Sequence, residues 1–164
     1  MIKKKKKFVY CDVGYVVWDT YIVSDPDAGA VYESFDDLAG KKVYATTATN
    51  QAAMAETYLE ENPDAFELVY GEYNNEQIVQ AITSGAVDAS LAPKYQVDNW
   101  NKSFSENLAI GSEPVHNSDA YLLFNKETDQ AFIDAVNTAL EEFKADGTIK
   151  ELSEEYLDGD YVPE

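Results

Sequence analysis

Between Thr20 and Ile110 the sequence switches its period repeatedly. Short runs rich in β-branched and aromatic residues give way to runs whose apolar residues return every three or four positions. Thr20–Ser24 (TYIVS) is of the first kind, and Asp25, Pro26 and Asp27 end it as a turn. Ser34-Phe35-Asp36-Asp37 fits a capping box with Asp in the commoner Glu position, and Gly40 closes that short helix. Lys42–Thr46 reads as a strand. Asn50 caps a helix that runs through Ala52 and Ala55 to Leu59, and Pro63 bars its continuation. The pattern then repeats: a strand at 66–70, and a helix with Ile78, Val79 and Ile82, capped by Asn74 or Asn75 and stopped by Gly85. A strand at 87–92, a helix at 95–100 and a strand at 108–110 follow. Strands alternating with helices at this spacing predict βαβ units, an α/β fold and a mostly parallel sheet.

The remaining third differs. Residues 121–124 (YLLF) read as a strand. A long helix after Thr128 places Ile133, Val136, Leu140 and Phe143 on one stripe, and Asp146-Gly147 ends it. A second helix carries Ile149, Leu152 and Tyr156. Two amphipathic helices with no strand after them break the alternation and need something to cover.

Composition narrows the function. Acidic residues number 31 against 12 lysines and no arginine, for a net charge of −19. Five of those lysines occupy residues 3–7, so the rest of the chain carries seven against 31. A body this acidic repels phosphate backbones and argues against nucleic-acid binding. Cys11 and His116 are single, which rules out an intrachain disulfide and a cysteine-based zinc site, and makes any histidine-dependent catalysis rest on His116. The glutamates at 60 and 61, 141 and 142, and 154 and 155 are helix neighbours. They point about 100° apart and make solvated faces rather than acid/base pairs. No catalytic constellation, metal-ligand spacing or cofactor motif stands out, and no enzyme is expected. An export signal is not expected from the opening MIKKKKKFVYCD either, because three apolar residues fall short of the roughly 7–15 such a signal needs.

Four short motifs, in order, carry a resemblance. They are Phe35-Asp36-Asp37-Leu38-Ala39-Gly40-Lys41-Lys42-Val43, Ser84-Gly85-Ala86-Val87-Asp88-Ala89, Phe143-Lys144-Ala145-Asp146-Gly147-Thr148-Ile149 and Tyr156-Leu157. Together they resemble the polar amino-acid-binding proteins of bacterial ABC importers, the family 3 extracellular solute-binding proteins with the type II periplasmic-binding-protein fold. The resemblance implies a division into 1–15, a basic tail and hinge approach; 16–118, the second α/β lobe; and 119–164, a return strand and the C-terminal helices of the first lobe. It starts just before the chain first crosses to the second lobe, so the N-terminal part of the first lobe is expected to be missing.

The same resemblance implies an amino acid as ligand, an ABC permease as partner and an extracytoplasmic location. It puts one end of the ligand in the turn Thr46, Thr47, Ala48, Thr49 and Asn50, with Ala48 where the family carries glycine, and Tyr15 near the cleft. Free N–H groups and the positive end of a helix dipole attract a carboxylate there. Thr49 or Asn50 serving only as a helix cap is the plainer reading of the same residues. The family's ligand-clamping arginine has no counterpart here, and its ammonium-accepting aspartate falls on Pro93, beside Lys94. Binding is therefore expected to be weak or absent. The uncovered stripe predicts a homodimer. An interaction module derived from such a protein, or the effector domain of a regulator, are the alternatives.

Overall fold

Val43 and Tyr44 are neighbours in one strand, both essentially inaccessible, and they belong to different cores. Successive side chains of a strand point to opposite faces, so this one strand has a hydrophobic layer on each side. The computed structural model describes residues 8–164; the lysines at 3–7 lie outside the described residues. In chain order the strands are β1 (Phe8–Tyr10), β2 (Val16–Val17), β3 (Thr20–Ser24), β4 (Lys42–Thr46), β5 (Glu67–Gly71), β6 (Ala89–Pro93), β7 (Ala109–Ile110), β8 (Asp119–Ala120) and β9 (Leu123–Asn125). The helices are α1 (Asn50–Glu61), α2 (Asn75–Thr83), α3 (Lys94–Phe104), α4 (Gln130–Ala145) and α5 (Thr148–Leu157), with 3-10 turns at Pro26–Ala28 and Phe35–Leu38. The chain divides into two units: Asp19–Asn117, and residues 8–18 together with Ser118–Glu164.

The larger unit is built on a five-stranded sheet in the order β5-β4-β6-β3-β7. β5 and β6 both run parallel to β4, β3 runs antiparallel to β6, and β7 antiparallel to β3. Four strands therefore point one way and β3 runs against them. One face holds Ile22, Val43, Ala89 and Leu91 under Ala55 of α1, with Phe35, Leu38 and Phe66. The other holds Val23, Tyr44 and Ala92 under Ile78, Val79 and Ile82 of α2 and Val97 and Trp100 of α3. The stripe expected for α2 is thus its buried face.

Two of the four motifs meet here and explain each other. The Asp37 carboxylate accepts from the Ser34 N–H at 2.9 Å, which closes the capping box, and Gly40 turns the chain with φ 72°. Asp88 then holds the start of β4. Its carboxylate accepts from the Lys42 N–H at 2.8 Å and pairs with Lys41 Nζ at 3.2 Å, and its own N–H donates to the Lys42 carbonyl. The Lys42 N–H above all, and then Lys41, hold its carboxyl below the usual aspartate range.

Element types agree with the sequence reading, while several ends move. α1 is capped by Thr49 and not by Asn50. Thr49 has the extended backbone a cap needs (φ −90°, ψ 165°), and its hydroxyl accepts from the Ala52 N–H at 3.2 Å. For α2 the cap is Asn74, in a reciprocal box with Gln77.

Of the expected strand at 121–124, Leu123 and Phe124 lie in a strand, β9, and a separate two-residue strand that was not expected, β8, precedes it at Asp119–Ala120. β1 pairs with β9, and β2 with β8, both antiparallel, but the two pairings do not share one register. The slack is taken up around Gly14, where a Cβ would meet Asp119 Cβ at 3.0 Å. Beyond α4 the third motif is a joint. Gly147 turns left-handed (φ 88°), and the Asp146 carboxylate accepts from the Thr148 N–H at 2.9 Å to start α5. α5 is held at its far end by Ser153, whose hydroxyl donates to the Gly159 carbonyl at 2.6 Å and accepts from the Tyr161 N–H at 2.9 Å.

Candidate functional site

Right-handed crossovers decide where a parallel sheet opens. The chain leaves β4 through α1 to β5 on one side, then crosses through α2 to β6 on the other side of β4. α1 lies on one face of the sheet and α2 on the other, as the two cores show. The carboxyl ends of β4 and β6 therefore flank a topological switch point, the place where open α/β sheets leave a crevice. Thr46, Thr47, Ala48, Thr49 and Asn50 occupy one wall of it, directly after β4. Pro93 ends β6, and Lys94 opens α3.

The turn is firmly built. The Thr47 N–H donates to the Gly71 carbonyl at 3.1 Å, and its hydroxyl donates to the same oxygen at 3.3 Å. The Thr49 hydroxyl donates to the Thr46 carbonyl at 2.7 Å while it accepts from Ala52. Both hydroxyls are thus committed to the backbone. The N–H groups of Asn50 and Gln51 have no partner among the described residues, as expected for the first turn of a helix. Ala48 adopts φ 61°, the left-handed region that costs an alanine roughly 1–2 kcal/mol and a glycine little. Thr47, Ala48 and Asn50 are exposed, Thr46 and Thr49 half-buried.

Beside the turn stands a pair of tyrosines that sequence reasoning missed. Tyr44 is buried with its ring stacked on Tyr73, centroids 4.8 Å apart and planes 3° from parallel. The Tyr44 hydroxyl accepts from the Tyr73 N–H at 2.9 Å, which ties the β5–α2 loop to β4. Gly71 permits this, since a Cβ there would meet Tyr44 Cε2 at 3.1 Å. The available signal was positional: Gly71 ends β5 on the same edge of the sheet as Thr46, its register partner.

At the other wall Lys94 pairs with Asp98. Tyr21 has its hydroxyl pKa raised, by burial first and then by Asp19 and Glu113, with Lys94 acting against them. His116 is exposed, and its backbone pairs with Thr20. Tyr15 belongs to the smaller unit, where its N–H donates to the Ala120 carbonyl at 3.1 Å. Among the described residues no group of three or more His, Cys, Asp or Glu side chains converges as a metal site, and no helix is long and apolar enough to cross a membrane.

Known proteins share this fold, although no family model matches the sequence. The L-cystine-binding protein TcyK of Bacillus subtilis is 28% identical over 99% of this chain and 59% of its own length. Among solved structures, the probable amino-acid ABC transporter extracellular-binding protein ytmK of Bacillus subtilis superposes with a TM-score of 0.84 at 28% identity, covering 98% of this chain and 68% of that one. A putative L-cystine ABC transporter protein from Listeria monocytogenes gives 0.80 at 28% identity, covering 99% and 68%. The chain spans about three-fifths of the length of the curated relatives it matches. It is a homologue of the amino-acid-binding proteins of ABC importers and has their type II periplasmic-binding-protein fold.

Proposed function

We propose that this chain is a solute-binding component of an amino-acid ABC importer, working outside the cytoplasm with a membrane permease, and binding without catalysing a reaction. The observation that carries the proposal is the turn from Thr46 to Asn50 at the switch point, with the Asn50 and Gln51 N–H groups free at the positive end of α1. A ligand carboxylate is the group that end attracts. That the relatives are described as L-cystine-binding proteins supports an amino acid, with cystine the first to try.

Affinity in this reading is low. The sequence has no arginine to grip a carboxylate with two parallel hydrogen bonds, and Pro93 with Lys94 offers no acceptor to an ammonium group. Losing a buried charge partner costs several kcal/mol and each 1.4 kcal/mol is about tenfold, so roughly millimolar binding is expected. The working unit is a pair of identical chains.

Calorimetry with L-cystine and the polar amino acids, on the intact chain and on Gln51→Pro, tests the reading. Proline at the second helical position keeps the helix but removes one of the two free N–H groups. Weak heats that vanish in the variant support the site. A micromolar constant overturns the low-affinity assignment, and binding unchanged in the variant overturns the site itself.

A further inference from the structure

Two tyrosines flank Gly71 at the end of β5, and they meet different fates. Tyr70 and Tyr73 are 50% and 44% exposed. The Tyr70 hydroxyl donates to Glu56 Oε1 of α1 at 2.8 Å, which lays that ring along the helix. The Tyr73 hydroxyl has no partner among the described residues. One face of the Tyr73 ring is closed by Tyr44, whose plane lies 3° from its own. The exposed surface of Tyr73 is therefore its outer face and its hydroxyl edge.

The ring is also held in place. The Tyr73 N–H donates to the hydroxyl of the buried Tyr44 at 2.9 Å. Tyr73 Cε1 lies 3.5 Å from where a Gly71 Cβ would stand. Gly71 is the register partner of Thr46, and its carbonyl accepts from the Thr47 N–H. Side chains alternate along a strand, so Thr46 projects from the same face of β4 as Tyr44. The Thr46 hydroxyl has no partner among the described residues, unlike those of Thr47 and Thr49. An open aromatic face and a free hydroxyl thus stand beside the Thr46–Asn50 turn. A ligand that meets a ring already held in place has less side-chain freedom to arrest.

We propose that the outer face of Tyr73 seats the ligand's side chain and selects a polarisable one, a sulfur atom or an aromatic ring, over a short polar or acidic one. The assignment rests on reading the Thr46–Asn50 turn as the carboxylate site. Sulfur and aromatic groups share the chemistry that counts here. Both are attracted to an aromatic ring, by about two- to tenfold in affinity for one such contact. A serine side chain gains little from the ring. An acidic side chain meets like charge as well, since the exposed Glu72 and Glu76 stand on either side of Tyr73 in the chain.

The experiment is proton NMR titration with L-methionine, L-phenylalanine, L-serine and L-glutamate. The proteins are the intact chain, Tyr73→Phe, Tyr73→Leu and Gln51→Pro. Leucine removes the ring but still covers Tyr44, and the tie between the two residues survives because the Tyr73 backbone makes it. The intact chain is expected to bind methionine or phenylalanine about two- to tenfold more tightly than serine, with glutamate weakest. The side-chain protons of the preferred ligand should move upfield in the ring current. Tyr73→Phe should keep both effects, and Tyr73→Leu should lose both while binding serine as before. The methionine and phenylalanine arms tell sulfur from an aromatic ring. No preference in the intact chain overturns the proposal, and so does a preference that persists in Tyr73→Leu. Gln51→Pro should weaken all four ligands alike, and binding unchanged there overturns the carboxylate site itself. An intact chain that binds none of the four overturns both. Should Tyr73→Leu fail to fold by circular dichroism, Tyr73→Gln takes its place.

Discussion

The two units treat their apolar residues differently. In Asp19–Asn117 the sheet is covered on both faces, and Ile22, Val23, Leu38, Val43, Tyr44, Ile82 and Trp100 are all essentially inaccessible. In the smaller unit Cys11, Val16, Ile133 and Pro163 are buried, whereas Phe132, Phe143, Leu152 and Tyr156 are 57%, 44%, 49% and 73% exposed. Two helices and two short ribbons give few layers to share a core. A helix stripe is satisfied only by a surface that faces it. The larger unit supplies such surfaces from its own sheet. The smaller one leaves much of its stripe in water.

The sharpest way to break this contrast is to cut one aromatic from each unit. Trp100→Ala removes a fully buried ring and is expected to cost about 3–5 kcal/mol, whereas Phe143→Ala in a free smaller unit stays within about 0.5 kcal/mol. Urea unfolding followed by circular dichroism measures both. A cost for Phe143→Ala that approaches the Trp100 value would mean that the exposed face is covered in solution. Within the smaller unit, Ile133→Ala is expected to cost about 2 kcal/mol or more, because Ile133 is its one fully buried stripe position.

Smaller effects sharpen the picture of the larger unit. Thr49→Ala deletes the α1 cap and is expected to cost about 1 kcal/mol, read as a fall in the urea midpoint with an unchanged slope. Ala48→Gly should raise that midpoint by up to about 1 kcal/mol, the relief of left-handed strain less the added freedom of the unfolded chain. A fall instead would show that the turn relaxes away from φ 61° in solution. The smallest change at neutral pH is one of slope. Asp88 has a depressed pKa when folded, so its contribution is present above the ordinary aspartate range and is lost as the pH falls through the depressed value. Asp88→Asn is expected to flatten that part of the acid limb, and a limb of unchanged steepness would remove Asp88 from its causes.

Local chemistry made most of the elements legible in the order of residues. Thr20–Ser24 and Lys42–Thr46 fall where their β-branched and aromatic runs place them, and the Asp146-Gly147 stop separates α4 from α5. The Ser34–Asp37 box also forms, because its bonds join residues three apart. Sequence alone was less decisive where two residues offered the same local chemistry. Thr49 and Asn50 both make good caps, and only the path of the chain out of β4 chose Thr49.

What the tertiary structure decided lies between residues far apart in the chain. Asp88 bonds Lys41 and Lys42 across 47 and 46 positions, and this contact turns two weak motifs into one joint. The Tyr44–Tyr73 stack depends on Gly71 leaving room for a ring. Residues 12–14 absorb the change of register between the β1–β9 and β2–β8 pairings. The sequence by itself determined the α/β class, the order of elements from Thr20 to Ile110 and the turn at Thr46–Asn50, since each follows from spacing along a few residues. Which strand reverses, where the switch point opens and which apolar stripe stays in water required the folded chain, because pairing and burial are set by neighbours that periodicity does not name.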